Sequence, residues 1–94
     1  MNKFSIEDET HAEFQGDFRS FDEALNELKR RAKIPWNEPP NKCPCTGWEA
    51  CDRTYSITEF LIGDSTYTPQ SEAKVLTISA KEILWLSGYE QYGR

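Results

Sequence analysis

The apolar positions of the chain change period along its length, and each period predicts a different element. Phe4 and Ile6 alternate with polar residues, and after the polar break Asp8-Glu9-Thr10 so do Ala12 and Phe14. A period of two marks half-buried strands, so two short antiparallel strands are expected, about 3–7 and 11–15, with Gly16-Asp17 closing the second. The spacing then lengthens. Phe21, Leu25, Leu28 and Ala32, with Ala24 beside them, recur every three or four residues and share one helical face. Ser20-Phe21-Asp22-Glu23 is a capping box in front of them: the Ser20 hydroxyl accepts from the Glu23 N–H and the Glu23 carboxylate reaches back. Acidic residues in the first turn and basic ones in the last suit the helix dipole. Ile34-Pro35 is the expected stop.

Beyond Pro35 the pattern is lost until residue 53. The run 53–62 is rich in β-branched and aromatic residues; Tyr55 and Ile57 share a face, and Phe60 and Ile62 fall in the opposite phase. A bulge, or a strand covered on both faces, accounts for that change. Residues 63–73 read as a polar loop, and 75–79 as a strand with Leu76, Ile78 and Ala80 on one side. After Ser79 two patterns compete. Continued alternation through Leu84 and Leu86 lengthens the strand to match 53–62, and this is the preferred reading. The alternative is a helix capped by Ser79-Ala80-Lys81-Glu82, stapled by Ile78 and Ile83 and stopped at Gly88. Residues 88–94 read as a frayed, flexible tail. The expectation is a single α+β domain spanning 1–94, in the order β-β-α-β-β. One long helix packs across a small antiparallel sheet, residues 35–52 form an irregular Pro/Cys-rich connection, and a short helical turn lies near 47–52. The run from Phe18 to Leu25, entering a helix after a hairpin, resembles the opening of small hairpin-plus-helix domains such as the HicB-like antitoxins; the likeness stops at Pro35 and carries no function over.

Charge narrows the function classes. A net charge of −5 and a pI near 4.8 argue against a nucleic-acid partner, which needs a basic stripe to displace counterions, and against an anionic membrane surface. The basic cluster Lys29, Arg30, Arg31 and Lys33 sits where a helix C-terminus favours cations. The acidic N-terminal segment lacks the apolar run of a signal peptide, and no stretch approaches a membrane span. Three cysteines within nine residues do not resemble a secreted disulfide framework, so the cytoplasm is the expected location.

Those cysteines are the first candidates for chemistry. Cys43-Pro44-Cys45 and Cys51, with His11, Glu49 or Asp52 as a fourth group, make a conceivable zinc set. The C-x-C spacing weighs against it, because structural sites favour C-x2-C knuckles and a proline between two cysteines tends to turn their sulfurs apart. The competing reading is packing. Thr46-Gly47-Trp48-Glu49 is a further capping box, with Cys45 placed to staple onto Ala50, and a helix start there lowers nearby thiol pKa values. His11, the single histidine, reads as a solvated surface residue, and Glu7, Asp8, Glu9 and Glu13 as a solvated acidic face. The five glycines are scattered and form no phosphate cradle.

Aromatics complete the picture. Trp36 and Trp48 lie in the connection, Trp85, Tyr89 and Tyr92 near the C-terminus. Trp36, Tyr89 and Tyr92 are the candidates for touching another protein. The leading expectation is a non-enzymatic protein–protein interaction or regulatory module of bacterial type, needing no cofactor. The alternative is a zinc- or thiol-dependent protein using Cys43, Cys45, Cys51 and His11.

Overall fold

The structure, a computed structural model, describes residues 2–63, 65–86 and 88–89, and of Trp48 the backbone alone. It contains β1 (Asn2–Asp8), β2 (Glu13–Phe18), α1 (Phe21–Arg31), a 3₁₀ turn (Trp48–Ala50), β3 (Asp52–Ile62), β4 (Tyr67–Ser79) and β5 (Ile83–Trp85). The strands make one antiparallel sheet in the order β2-β1-β3-β4-β5. The expected α+β class and its β-β-α-β-β order are present, with β5 as an additional strand. Among the described residues no helix is long and apolar enough to cross a membrane.

The core lies between α1 and one face of the sheet. Ile6 pairs with Ile57 across β1 and β3, and Tyr55 with Leu76 across β3 and β4, so alternate positions converge beneath the helix. Ala24, Leu25 and Leu28 meet them there, with Val75 and Ile78, all essentially free of solvent. Trp36, Trp85 and Tyr89 pack at the margins. The opposite face is open. Phe60 touches both Phe14 and Tyr67 on it, and the latter two are 60% and 59% exposed.

The helix is shorter than expected. The Ser20 cap forms as read, its hydroxyl accepting from the Glu23 N–H at 3.1 Å while Glu23 accepts from the Arg19 N–H at 3.0 Å. At its other end the helix stops after 11 residues, at Arg31. The buried Asn41 explains this: its amide donates to the Arg31 and Ile34 carbonyls, both at 2.8 Å, and so replaces the next helical turn.

Three other expectations need correcting. The second strand begins at Glu13 and runs through Gly16, whose φ of +123° suits a residue without a Cβ. Residues 67–73 are the first half of β4 rather than loop; they pair with β3 although nearly all are exposed. Residues 80–86 are neither a continuation of the same strand nor a helix, and residue 87 lies outside the described residues. Ser79 closes a tight turn, its N–H bonded to the Glu82 carbonyl at 3.0 Å, and β5 returns alongside β4. The phase change in β3 accompanies a register shift between Glu59 and Phe60, where β4 carries one extra residue, and Ser56, Ile57 and Thr58 are all buried. Tyr89, within the segment read as a tail, stacks on Phe21; Tyr92 lies outside the described residues.

Candidate metal and thiol site

Where β1 ends, its last residue becomes the anchor of the site. Asp8 is wholly buried, and its carboxylate gathers four donors. The Thr10 and Thr54 N–H groups reach Oδ1 at 3.1 and 3.3 Å, and the Arg53 guanidinium and His11 Nδ1 reach Oδ2 at 2.8 and 2.6 Å. Because Asp8 lies opposite Tyr55 in the β1–β3 ladder, this carboxylate brings the β1–β2 turn against the start of β3. Ala12, at φ +53°, completes the turn in the left-handed region.

Arg53 ties the irregular connection to the same point. Beyond Asp8 it donates to Glu13 at 3.0 Å and to the Asn41 and Lys42 carbonyls at 3.1 and 2.7 Å. A guanidinium this buried is tolerable because its donors meet carboxylates and carbonyls. The Glu13 carboxyl is held below its ordinary value chiefly by the hydrogen bond from Arg53. Asn41 accepts from the Tyr55 hydroxyl at 3.2 Å. The segment after α1 is therefore fastened by polar bonds as well as by Trp36 against the core.

The cysteines follow directly. A ring nitrogen of His11 and the sulfurs of Cys45 and Cys51 all lie within 4.8 Å of one another. Cys51 Sγ is 3.6 Å from His11 Nε2 and 2.8 Å from Cys45 Sγ. All three cysteines are free thiols. Cys43 is buried; its thiol donates to the Asp52 carbonyl at 3.5 Å. Burial first, and then the adjacent Cys51 thiol, push its pKa up to about 11. The His11 pKa is raised, mainly by the Asp8 carboxylate and next by the Cys45 sulfur.

His11 is thus not a solvated strand histidine: it sits in the β1–β2 turn, with a side chain 13% exposed and its ring fixed by Asp8. The Cys45 and Cys51 sulfurs converge. The short helical turn expected near 47–52 is a single 3₁₀ turn, closed by the Ala50 N–H on the Gly47 carbonyl at 3.0 Å. This tight turn is what doubles the chain back and brings residue 51 to residue 45. Among the described residues, Cys43, Glu49 and Asp52 lie outside this group; Asp52 accepts from the Thr10 hydroxyl instead. Asp8 and Arg53 had no sequence signature beyond the Asp8–His11 spacing of three. Trp36 and Tyr89 lie against the core cluster.

Chemically, the arrangement is a soft donor set with an oriented imidazole. A tetrahedral zinc ion, with Zn–S about 2.3 Å and Zn–N about 2.0–2.1 Å, sets sulfur about 3.7 Å from sulfur and about 3.6 Å from nitrogen. The Cys51–His11 separation of 3.6 Å already matches. The Cys45–Cys51 separation of 2.8 Å has to open by about 1 Å, a small side-chain rotation. An imidazole that binds metal through Nε2 and gives its Nδ1–H to a carboxylate is the usual outer-shell arrangement, and it selects the tautomer that metal binding needs.

Comparison with protein-family models, curated proteins and solved structures finds no match to the chain.

Proposed function

We propose that this protein is a small metal-stapled domain. Zinc is held by His11, Cys45 and Cys51, and the neighbouring Cys43 supplies the fourth ligand as the third thiolate. The observation that carries the reading is the meeting of His11 with Cys45 and Cys51 across forty residues of sequence, with the ring locked by the buried Asp8. Soft thiolates with one imidazole select zinc over hard cations such as magnesium or calcium. The role is structural. Between α1 and the 3₁₀ turn the chain has no helix or strand, and a metal bridging residues 45–51 to the β1–β2 turn fixes what apolar packing leaves loose.

The test is protein purified without chelator. One zinc per chain is expected, and cobalt substitution should give the visible bands of a tetrahedral thiolate site. With free zinc a thousandfold above its Kd, binding contributes about 4 kcal/mol. At about 4–8 °C per kcal/mol for a domain of this size, chelation should lower the Tm by roughly 15–30 °C. His11→Ala and Cys51→Ser should abolish both signals. A metal-free protein whose Tm does not move on saturation with zinc overturns the reading. Of the residues in the interaction reading, Trp36 and Tyr89 pack against the core and Tyr92 lies outside the described residues.

A further inference from the structure

The Cys45–Cys51 separation supports a second chemistry at the same place. At 2.8 Å the two sulfurs stand between the roughly 3.7 Å edge of a tetrahedral zinc site and the about 2.05 Å of a disulfide, so a small movement in either direction completes one or the other. Their surroundings differ. Cys51 lines an open polar pocket of about 190 Å³ together with Glu49, Asp52, Ser79 and Lys81, whereas Cys45 is absent from that lining and Cys43 is 7% exposed. A pocket this small and polar admits a hydroperoxide of a few heavy atoms and excludes a bulky disulfide.

We propose that Cys51 and Cys45 form a dithiol oxidised by small hydroperoxides, Cys51 being attacked first from the pocket and Cys45 closing the disulfide. In the first step the Cys51 sulfur attacks the peroxide, the O–O bond breaks and an alcohol (water, for hydrogen peroxide) leaves, giving the Cys51 sulfenic acid. In the second, the Cys45 sulfur attacks Cys51, the S–O bond breaks and water leaves. Two thiols and one hydroperoxide thus become one disulfide, one alcohol and one water; both sulfurs are oxidised and the peroxide oxygen is reduced. With zinc present, the two thiolates leave the metal, two protons are taken up and Zn²⁺ is released. Only this release step rests on the zinc reading; the dithiol does not.

The experiment treats the full chain with hydrogen peroxide in zinc-loaded and chelator-stripped form. It follows free thiols, released zinc and, by peptide mass mapping, the cysteines that become linked. The expected result is a fall from three free thiols to one, a Cys45–Cys51 linkage, and zinc released in step with it. Cys45→Ser should stop at a sulfenic acid trapped by dimedone on Cys51, and Cys43→Ser, compared in the chelator-stripped form, should still give the Cys45–Cys51 linkage. Because the folded chain already holds the sulfurs together, disulfide closure should run at least about 10-fold faster than in the denatured chain. A linkage through Cys43, trapping at Cys45, or thiols that outlast those of the denatured chain overturns the proposal. Zinc bound but thiols untouched defeats the dithiol alone; disulfide formed in a chain that never binds zinc defeats the metal reading alone.

Discussion

Replacing Asp8 by Asn separates the two tasks that this carboxylate performs. Asparagine keeps the shape but carries only one acceptor oxygen. If that oxygen faces Arg53 and His11, the amide N–H₂ meets the Thr10 and Thr54 N–H groups; if it is flipped, the N–H₂ meets Arg53 and the His11 Nδ1–H. Either way two donors face donors, and Arg53, 5% exposed, loses its buried counter-charge. Glu13 remains to it, but that side chain is 45% exposed and screened. Breaking a buried pair in this way costs about 3–5 kcal/mol, against a total stability of about 5–15 kcal/mol for a domain. The variant should therefore fold in the cold, with its urea midpoint clearly lowered. Its zinc affinity, measured by chelator competition where both proteins are folded, should fall about 10–100-fold, because the imidazole loses its orienting acceptor. A midpoint unchanged within about 0.5 kcal/mol, the ordinary scatter for an uninvolved substitution, refutes the buried hub. A lowered midpoint with unaltered zinc affinity refutes the orienting role and leaves Asp8 a purely structural residue.

Other consequences are simpler to check. Asn41→Ala leaves the Ile34 carbonyl without its side-chain donor, while the Arg31 carbonyl keeps the Ile34 N–H at 3.0 Å and the Tyr55 hydroxyl keeps the Pro40 carbonyl at 3.5 Å; at about 1–3 kcal/mol for a group left unsatisfied, a loss of about 1–3 kcal/mol in chemical denaturation is expected. Leu28→Ala, at a fully buried position, should lower stability by about 2–5 kcal/mol. Glu27 is held below its ordinary 4.5, first by Arg30 and then by Arg31. Its contribution is present above that value and lost as pH falls through the lower folded value, so Glu27→Gln should flatten the acid limb of a Tm–pH profile. Zinc binding must displace the proton from Cys43, whose thiol is pushed up to about 11. Isothermal titration in buffers of different ionisation enthalpy should show protons released on binding, and affinity should weaken as pH is lowered.

The elements that could be read in the sequence are those whose signal is local. The Ser20–Glu23 box specified the start of α1 because its bonds close within four residues. The phases of Phe4, Ile6, Tyr55 and Ile57 were legible because one sheet face is buried by the helix. The end of α1 was not, since the residue that terminates it, Asn41, lies ten positions on and acts through its side chain. The first half of β4 escaped because both its faces are exposed, which leaves Thr68, Gln70, Ser71 and Glu72 with no alternation to show. The site itself was half legible. Its donor residues were named from composition and the short turn near 47–52 was expected, but their convergence also depends on a non-local fact, the β1–β3 register. Asp8 read as part of a solvated acidic face, and Arg53 only as the start of a strand, because burial is not written in a single sequence.

The β1–β3 ladder is the one seam by which the sheet joins the N-terminal hairpin to the C-terminal strands, pairing Asn2 with Leu61 and Asp8 with Tyr55. Closing it pairs residues half the chain or more apart, which makes it the pairing of the sheet with the largest loop-closure entropy. His11 and Cys51 approach each other only after that seam has closed. Anything that bridges them, metal or otherwise, arrives too late to hasten folding and acts by holding the finished seam shut. Its signature belongs to the rate of unfolding: a lifetime for the native state rather than a shortcut to it.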